Sequence, residues 1–260
     1  LVWDGSGYGT DATLWGSECF LVEAGKVRRV AALAPFGLPG GVQALRQPWR
    51  MALALSFAAN IPAVEVIQRL TSTTVSAAQL NAVWQMLENN LNCPQSCAMG
   101  RLFDAASYRL LGVADNLYEG YAALQLQTRA QQEAIPAASP GHDSIFAIHN
   151  LESDGLLRGD WHAAWRDLFL QESVASGEGY ALAFHRGIAQ WACQLARYFG
   201  VRHLSLSGGC FQNRLLQSLL LDLAQAERLE VIWPDTIPLN DGGLALGQLL
   251  AADYSLRNST

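Results

Sequence analysis

Three short glycine-rich clusters hold most of the residues in this sequence whose types and spacing could do chemistry. The first is Asp4-Gly5-Ser6-Gly7-Tyr8-Gly9-Thr10-Asp11. Glycines lack Cβ, so a phosphate or ribose can approach the backbone, and successive N–H groups can form an anion-binding concavity. Asp4 adds a carboxylate that a cation could use. The same residues also suit a plain hairpin turn. The second cluster is Ser207-Gly208-Gly209-Cys210-Phe211-Gln212-Asn213, between an apolar run and a helical one. Amides at a helix N-terminus favour phosphate or carboxylate. Asn213 either donates to a ribose, base or phosphate oxygen or caps the helix. The third is Asn240-Asp241-Gly242-Gly243. Asp241 is either an N-cap or a hard-metal ligand, and the poor helix formers beside it suggest a close approach to the backbone.

Such turns need strands and helices to aim them. The N-terminal part reads as strands, with Leu1–Trp3 first and then Glu18–Glu23 and Val27–Ala32 flanking Ala24-Gly25-Lys26 as a hairpin. Arg28 and Arg29 read as solvated strand residues. From residue 47 the period becomes helical, with helices at Pro48–Phe57, Ile61–Leu70, Ser76–Glu88, Gly100–Leu111 and Tyr121–Ala134. Pro136, Pro140 and Gly141 mark a loop, followed by a strand at Ser144–His149. Glu152, Asp154 and Asp160 read as an acidic loop. A long helix spans Gly177–Phe199 and ends at Gly200. The last sixty residues alternate strand and helix: His203–Leu206, Phe211–Ala226, Leu229–Trp233, then a helix from Asp241 to Ala252. This rhythm predicts an α/β sheet with ligands at the strand-to-helix turns. Two such turns plus an acidic one near the N-terminus are what a two-lobed actin/sugar-kinase cleft requires.

Composition narrows the partners. The 260 residues carry 17 Lys+Arg against 23 Asp+Glu, a net charge of −6. An acidic balance argues against nucleic acid as the main partner, since phosphate neutralisation needs a basic face. Charged residues are 15% and hydrophobic ones 50%, enough for a large core. No run of about 18 apolar residues suggests a membrane span. Five scattered cysteines do not form a disulfide framework and point to a reduced cytoplasm. Lys26 is the only lysine, so lysine chemistry has a single candidate, in a hairpin turn.

Seven blocks, with the first glycine cluster at their head, carry a resemblance. They are Asp4-Gly-Ser-Gly-Tyr-Gly, Pro39-Gly-Gly41, Gln47-Pro-Trp-Arg50, Gly100-Arg-Leu-Phe-Asp104, Tyr118-Glu-Gly120, Leu206-Ser-Gly-Gly-Cys-Phe-Gln-Asn213 and Asn240-Asp-Gly-Gly-Leu-Ala-Leu-Gly-Gln248. In this order the chain resembles the C-terminal carbamoyltransferase domain of the hydrogenase maturation protein HypF, a fold shared with the tRNA threonylcarbamoyladenosine transferases. The resemblance implies an actin/sugar-kinase-like fold that begins inside its N-terminal lobe. Residues 1–140 would be the rest of that lobe with a helical insertion, and 141–260 the C-terminal α/β lobe.

It also implies an activity. Carbamoyl phosphate and ATP would give carbamoyl-adenylate, and the carbamoyl group would pass to the C-terminal cysteine thiol of a HypE-type maturation partner. By the same resemblance, Asp4 and Asp241 match acidic ligands of one divalent metal (iron, zinc or magnesium). Gly5, Ser6 and Gly7 match the loop at the phosphate and acyl group. Asp104 matches a ribose-holding carboxylate, and Gly120 lies close to the nucleoside. Gly208, Gly209 and Asn213 match the adenylate turn. The family's His-x-x-x-His metal motif has no counterpart among the five histidines, and Ala12 and Tyr121 replace the expected Gly and Gln. Two other functions fit the clusters: a non-catalytic nucleotide-binding remnant and an ATP-dependent small-molecule kinase. Cys210 reads as a small packed residue or as an acyl acceptor, and His185 as a core histidine. Trp3, Trp15 and Trp49 could stack on adenine or simply pack.

Overall fold

Strand β1, Val2–Tyr8, is the first element of the computed structural model, which describes residues 1–133, 146–153, 155–171, 179–234 and 236–257. The glycine cluster is therefore strand, not turn, up to Tyr8. The turn follows at Gly9–Thr13, closed by the Gly9 N–H donating to the Thr13 carbonyl at 2.8 Å. Asp11 organises it: Oδ1 accepts from the Thr13 N–H, the Thr13 hydroxyl and the Trp15 indole N–H. β2, Leu14–Glu23, runs back along β1. β3, Lys26–Leu33, follows through Ala24 at φ 48° and Gly25 at φ 77°. Two successive positive φ values match the right-handed strand twist in a two-residue turn. Arg29 is not a solvated residue. Its guanidinium pairs with Asp11 at 2.7 Å and Glu18 at 3.0 Å and lies 4.0 Å over the Trp15 ring.

The helices follow from apolar period and capping. After β4, Phe36–Gly37, come α1 (Val42–Arg46), α2 (Pro48–Ala58), α3 (Ala63–Leu70) and α4 (Ala77–Glu88). Pro48 opens α2 where its missing N–H costs nothing. Trp49 and Met51 to Leu55 are all buried, so α2 is a central helix, apolar around its circumference. Ser76 and Gln79 form a reciprocal capping box at the start of α4. β5 (Gln95–Ser96), α5 (Met99–Leu111) and α6 (Tyr121–Gln132) complete the first half.

The expected strand at 144–149 is displaced. Ser144 and Ile145 lie outside the described residues, and β6 runs His149–Ser153. It forms a hairpin with β7, Leu156–Asp160, so Glu152 and Asp160 are strand residues; Asp154 is outside the described set. The signal was masked because Leu151 is itself exposed and polar residues are interspersed along both strands. α7 (His162–Leu170), unpredicted, starts where the Asp160 carboxylate accepts from the His162 N–H. α8 (Tyr180–Tyr198) is buried along most of its length; residues 177–178 are outside the described set. β8 (His203–Ser205), α9 (Arg214–Ala226), β9 (Glu230–Ile232) and α10 (Leu244–Arg257) end the chain.

The larger sheet has the order β4-β5-β2-β3-β7-β6, with β1 added alongside β2. β3 and β7 are parallel, Ala31 facing Leu157 and Leu33 facing Gly159. β8 and β9 form a second, parallel pair. β1 joins it: the Trp3 N–H donates to the Ser207 carbonyl and the Ser207 N–H to the Leu1 carbonyl, both at 2.9 Å. Trp3, fully buried, stacks between Trp191 of α8 and Phe211, ring centroids 5.3 and 5.1 Å away. One strand thus ties the sheet, α8 and the β8–α9 connection. Among the described residues no helix is long and apolar enough to cross a membrane.

Candidate functional site

The β8–α9 connection meets β1 so tightly that its glycine is dictated. Gly208 has φ 101°, and a Cβ there would lie 2.1 Å from the Trp3 carbonyl oxygen. No L side chain fits either constraint. The Gly208 N–H donates to the Leu239 carbonyl at 2.6 Å, which draws in the loop before Asp241. A Cβ on Gly209 would lie 2.9 Å from Asp4 Oδ1. The first two clusters therefore meet directly, and the third reaches them through Leu239, just before its first residue. A 3-10 turn, Gly209–Gln212, precedes α9, so the predicted helix start at Phe211 is this turn.

Asn213 does what the capping reading said. Its Oδ1 accepts from the Leu216 N–H at 2.9 Å. Its Nδ2 faces His185 Nε2 at 3.0 Å, a partner the sequence did not reveal. His185 is fully buried in α8, and burial pulls its pKa down to about 4, against the raising effect of its bond to the Ala181 carbonyl.

On the β1 side the pairing register shifts between Trp3 and Gly7, so Asp4, Gly5 and Ser6 form a bulge. Asp4 Oδ1 accepts from the Gly5 N–H at 2.7 Å. α5 begins against this bulge: a Cβ on Gly100 would sit 2.9 Å from Gly5 Cα. That contact explains the first residue of the Gly100–Asp104 block.

Asp104 is not presented to solvent. It is 3% exposed, pairs with Arg101 at 3.0 Å and accepts from Asn116 Nδ2 at 3.2 Å. Burial raises its pKa, with Arg101 and then Asn116 opposing the rise. Asn116 Oδ1 in turn accepts from the Ala122 N–H in the first turn of α6. Gly120 caps that helix at φ 78° with open space where a Cβ would stand. Arg101, Asn116 and His185 thus bind the sequence-predicted residues together. None belongs to a glycine signal, and only Arg101 lies inside a quoted block.

Cys210 carries a thiol that burial, and next the Asp4 carboxylate, hold well above the usual range, so it stays protonated. Cys93 and Cys97 do not share a site. The Cys93 thiol donates to the Met86 and Leu91 carbonyls, and the Cys97 thiol to Glu18 Oε1 at 3.1 Å. Trp3 and Trp49 are core residues.

Among the described residues no group of three or more His, Cys, Asp and Glu is placed to hold an ion. Asp241 lies in a 3-10 turn capped by Asn240, whose Oδ1 accepts from the Gly242 N–H. Asp4 and Asp241 offer two carboxylates, where zinc takes about four ligands and hard cations about six. These residues alone do not fit a divalent ion.

The chain matches the family described as "Carbamoyltransferase, Kae1-like Domain, second subdomain" over residues 1–248. It is 34% identical to a carbamoyltransferase HypF homolog of Cupriavidus necator over 259 residues, covering 97% of this chain and 64% of that protein. It is 34% identical to carbamoyltransferase HypF of Rhizobium leguminosarum over 266 residues, covering 99% of this chain and 32% of that protein. The chain therefore spans from about a third to 64% of these relatives' lengths. A full-length HypF crystallised in a phosphate- and nucleotide-bound form superimposes with a TM-score of 0.83 at 27% identity, over 100% of this chain and 40% of that one. HypF of T. kodakarensis gives 0.80 at 26% identity, over 99% of this chain and 34% of that one. The α/β architecture is the actin/sugar-kinase-like one of these proteins, and the chain belongs to the HypF carbamoyltransferase family.

Proposed function

We propose that this chain is the nucleotide-handling part of a HypF-type carbamoyltransferase. The approach of Asp4 to Gly209, with Gly208 held by the Leu239 carbonyl and Gly5 set against Gly100, carries the reading. A solved relative that binds phosphate and nucleotide supports it. Carbamoyl-adenylate, made from carbamoyl phosphate and ATP, would lie with its phosphate against the amides of Gly5, Ser6, Gly7, Gly208 and Gly209. Its nucleoside would pass Gly120, with Asn213 donating to it. Asp104 would act from one layer behind, through Arg101 and Asn116. A cysteine sulfur of a HypE-type partner attacks the carbamoyl carbon, the carbon–oxygen bond to adenosine monophosphate breaks, and the thiol proton leaves to the phosphate or solvent. Positioning and backbone electrostatics carry this step. A divalent ion would find Asp4 and Asp241 and would need further ligands from elsewhere, so no step is routed through one. A cytoplasmic site for this chemistry fits free thiols.

Calorimetry with ATP tests the reading. The chain should bind, and Gly209→Val, which drives a side chain into Asp4, should abolish binding. Unchanged affinity in that variant would leave the turn purely structural. Incubation of the full-length polypeptide with ATP, carbamoyl phosphate and a cysteine-ended peptide should add one carbamoyl group by mass. ATP binding without that transfer favours the non-catalytic alternative.

A further inference from the structure

We propose that His185 is a positioning residue for nucleotide binding: it fixes the Asn213 amide so that one Nδ2 proton faces the ligand. This deepens the nucleotide reading above and rests on it. His185 Nδ1 lies 2.7 Å from the Ala181 carbonyl, one turn back in α8. A carbonyl only accepts, so Nδ1 carries the proton and Nε2 presents a lone pair. Nε2 therefore accepts, and the Asn213 atom 3.0 Å away must be the donating Nδ2. This decides which way the amide points. Oδ1 falls toward α9, where it accepts from the Leu216 N–H at 2.9 Å.

The arrangement is self-consistent in one orientation only. Flipping the amide would set oxygen against the Nε2 lone pair and NH2 against the Leu216 N–H, two repulsive contacts. The ring itself cannot turn freely. Phe103 of α5 and Phe184 of α8 meet it edge-on, at 5.3 and 5.9 Å between centroids. Phe103 directly precedes Asp104, so the element that carries the predicted ribose carboxylate also clamps this histidine. An amide NH2 has two protons, and His185 takes one. The other is held at the mouth of the Ser207–Asn213 turn by a ring that never reaches the ligand.

Side-chain 15N NMR with ATP titration tests this. Wild-type imidazole shifts should report the Nδ1–H tautomer, and ATP should move the Asn213 side-chain amide resonances. His185→Leu removes the acceptor and should weaken ATP binding about tenfold, the loss expected when one hydrogen bond is no longer held ready. His185→Gln places a polar atom near Nε2 and should stay within about threefold of wild type. Asn213→Asp keeps the helix cap but replaces the donor with a carboxylate oxygen against the Nε2 lone pair, and should weaken binding at least about tenfold. A purely capping role would leave the aspartate variant's affinity unchanged. Wild-type affinity in folded His185→Leu, or ATP binding that leaves the Asn213 amide unmoved, overturns the proposal alone. Should His185→Leu not fold, the amide shifts and the aspartate variant still decide. Failure of the wild-type chain to bind ATP overturns the nucleotide reading as well.

Discussion

At the scale of single residues, the site is set by backbone that leaves no room. Gly208→Ala must both adopt φ 101° and push a Cβ into the Trp3 carbonyl. We expect a loss of about 2–4 kcal/mol, read as a lower urea midpoint at unchanged slope. His185 gives a pH dependence with a definite sign. Its folded-state pKa falls from 6.5 to about 4, so acid protonates it only in the unfolded chain. The stability held by the neutral ring is complete above pH 6.5 and is lost as pH falls toward 4. It amounts to on the order of 3 kcal/mol. Urea titrations at pH 7 and pH 5 should show a larger drop for wild type than for His185→Leu, and equal drops would refute the assignment. Gly208, Gly209 and Asn213 were legible in the sequence because turn chemistry is local. His185 was legible as a core histidine, but its bond to Asn213 was not, because that partner lies 28 positions away in another element.

At the scale of elements, periodicity served the helices far better than the strands. Pro48, Ser76 and the apolar stripes of α2 to α6 located those helices within two residues of their observed ends. The capping box on α4 has its own consequence. Ser76→Ala removes the acceptor for the Gln79 N–H and the hydroxyl that donates to Gln79 Oε1, and should cost about 1 kcal/mol with no change in ATP affinity. The strands misled where function intrudes. Asp4-Gly-Ser-Gly reads as a turn by composition. It is a bulged strand because Gly5 must accept α5 at Gly100 and Asp4 must face Gly209. β6 and β7 were hidden because Leu151 is exposed among polar neighbours and the alternation is weak, whereas β7 pairs with β3, more than a hundred residues earlier.

At the scale of the whole molecule, the two ends of the chain are held together by apolar packing and backbone bonds. Trp3 is sandwiched by Trp191 and Phe211, β3 pairs with β7, and Arg109 of α5 donates to the Phe169 and Gln171 carbonyls beyond α7. The first two glycine clusters lie where β1 meets the β8–α9 connection. The ties themselves are long-range contacts that no local pattern encodes. None runs through a carboxylate cluster, and this bears on metal dependence. An ion that binds the native state raises the unfolding midpoint in proportion to its affinity, and removing it lowers the midpoint. Asp4 already accepts from Gly5, and Asp241 projects from an exposed turn, so this chain can offer an ion little differential affinity. Dialysis against EDTA should therefore leave the thermal midpoint unchanged to within about 1 °C, and magnesium or zinc at about 1 mM should raise it by no more than that. A rise of several degrees that Asp241→Ala abolishes would mean that these 260 residues hold a complete metal site.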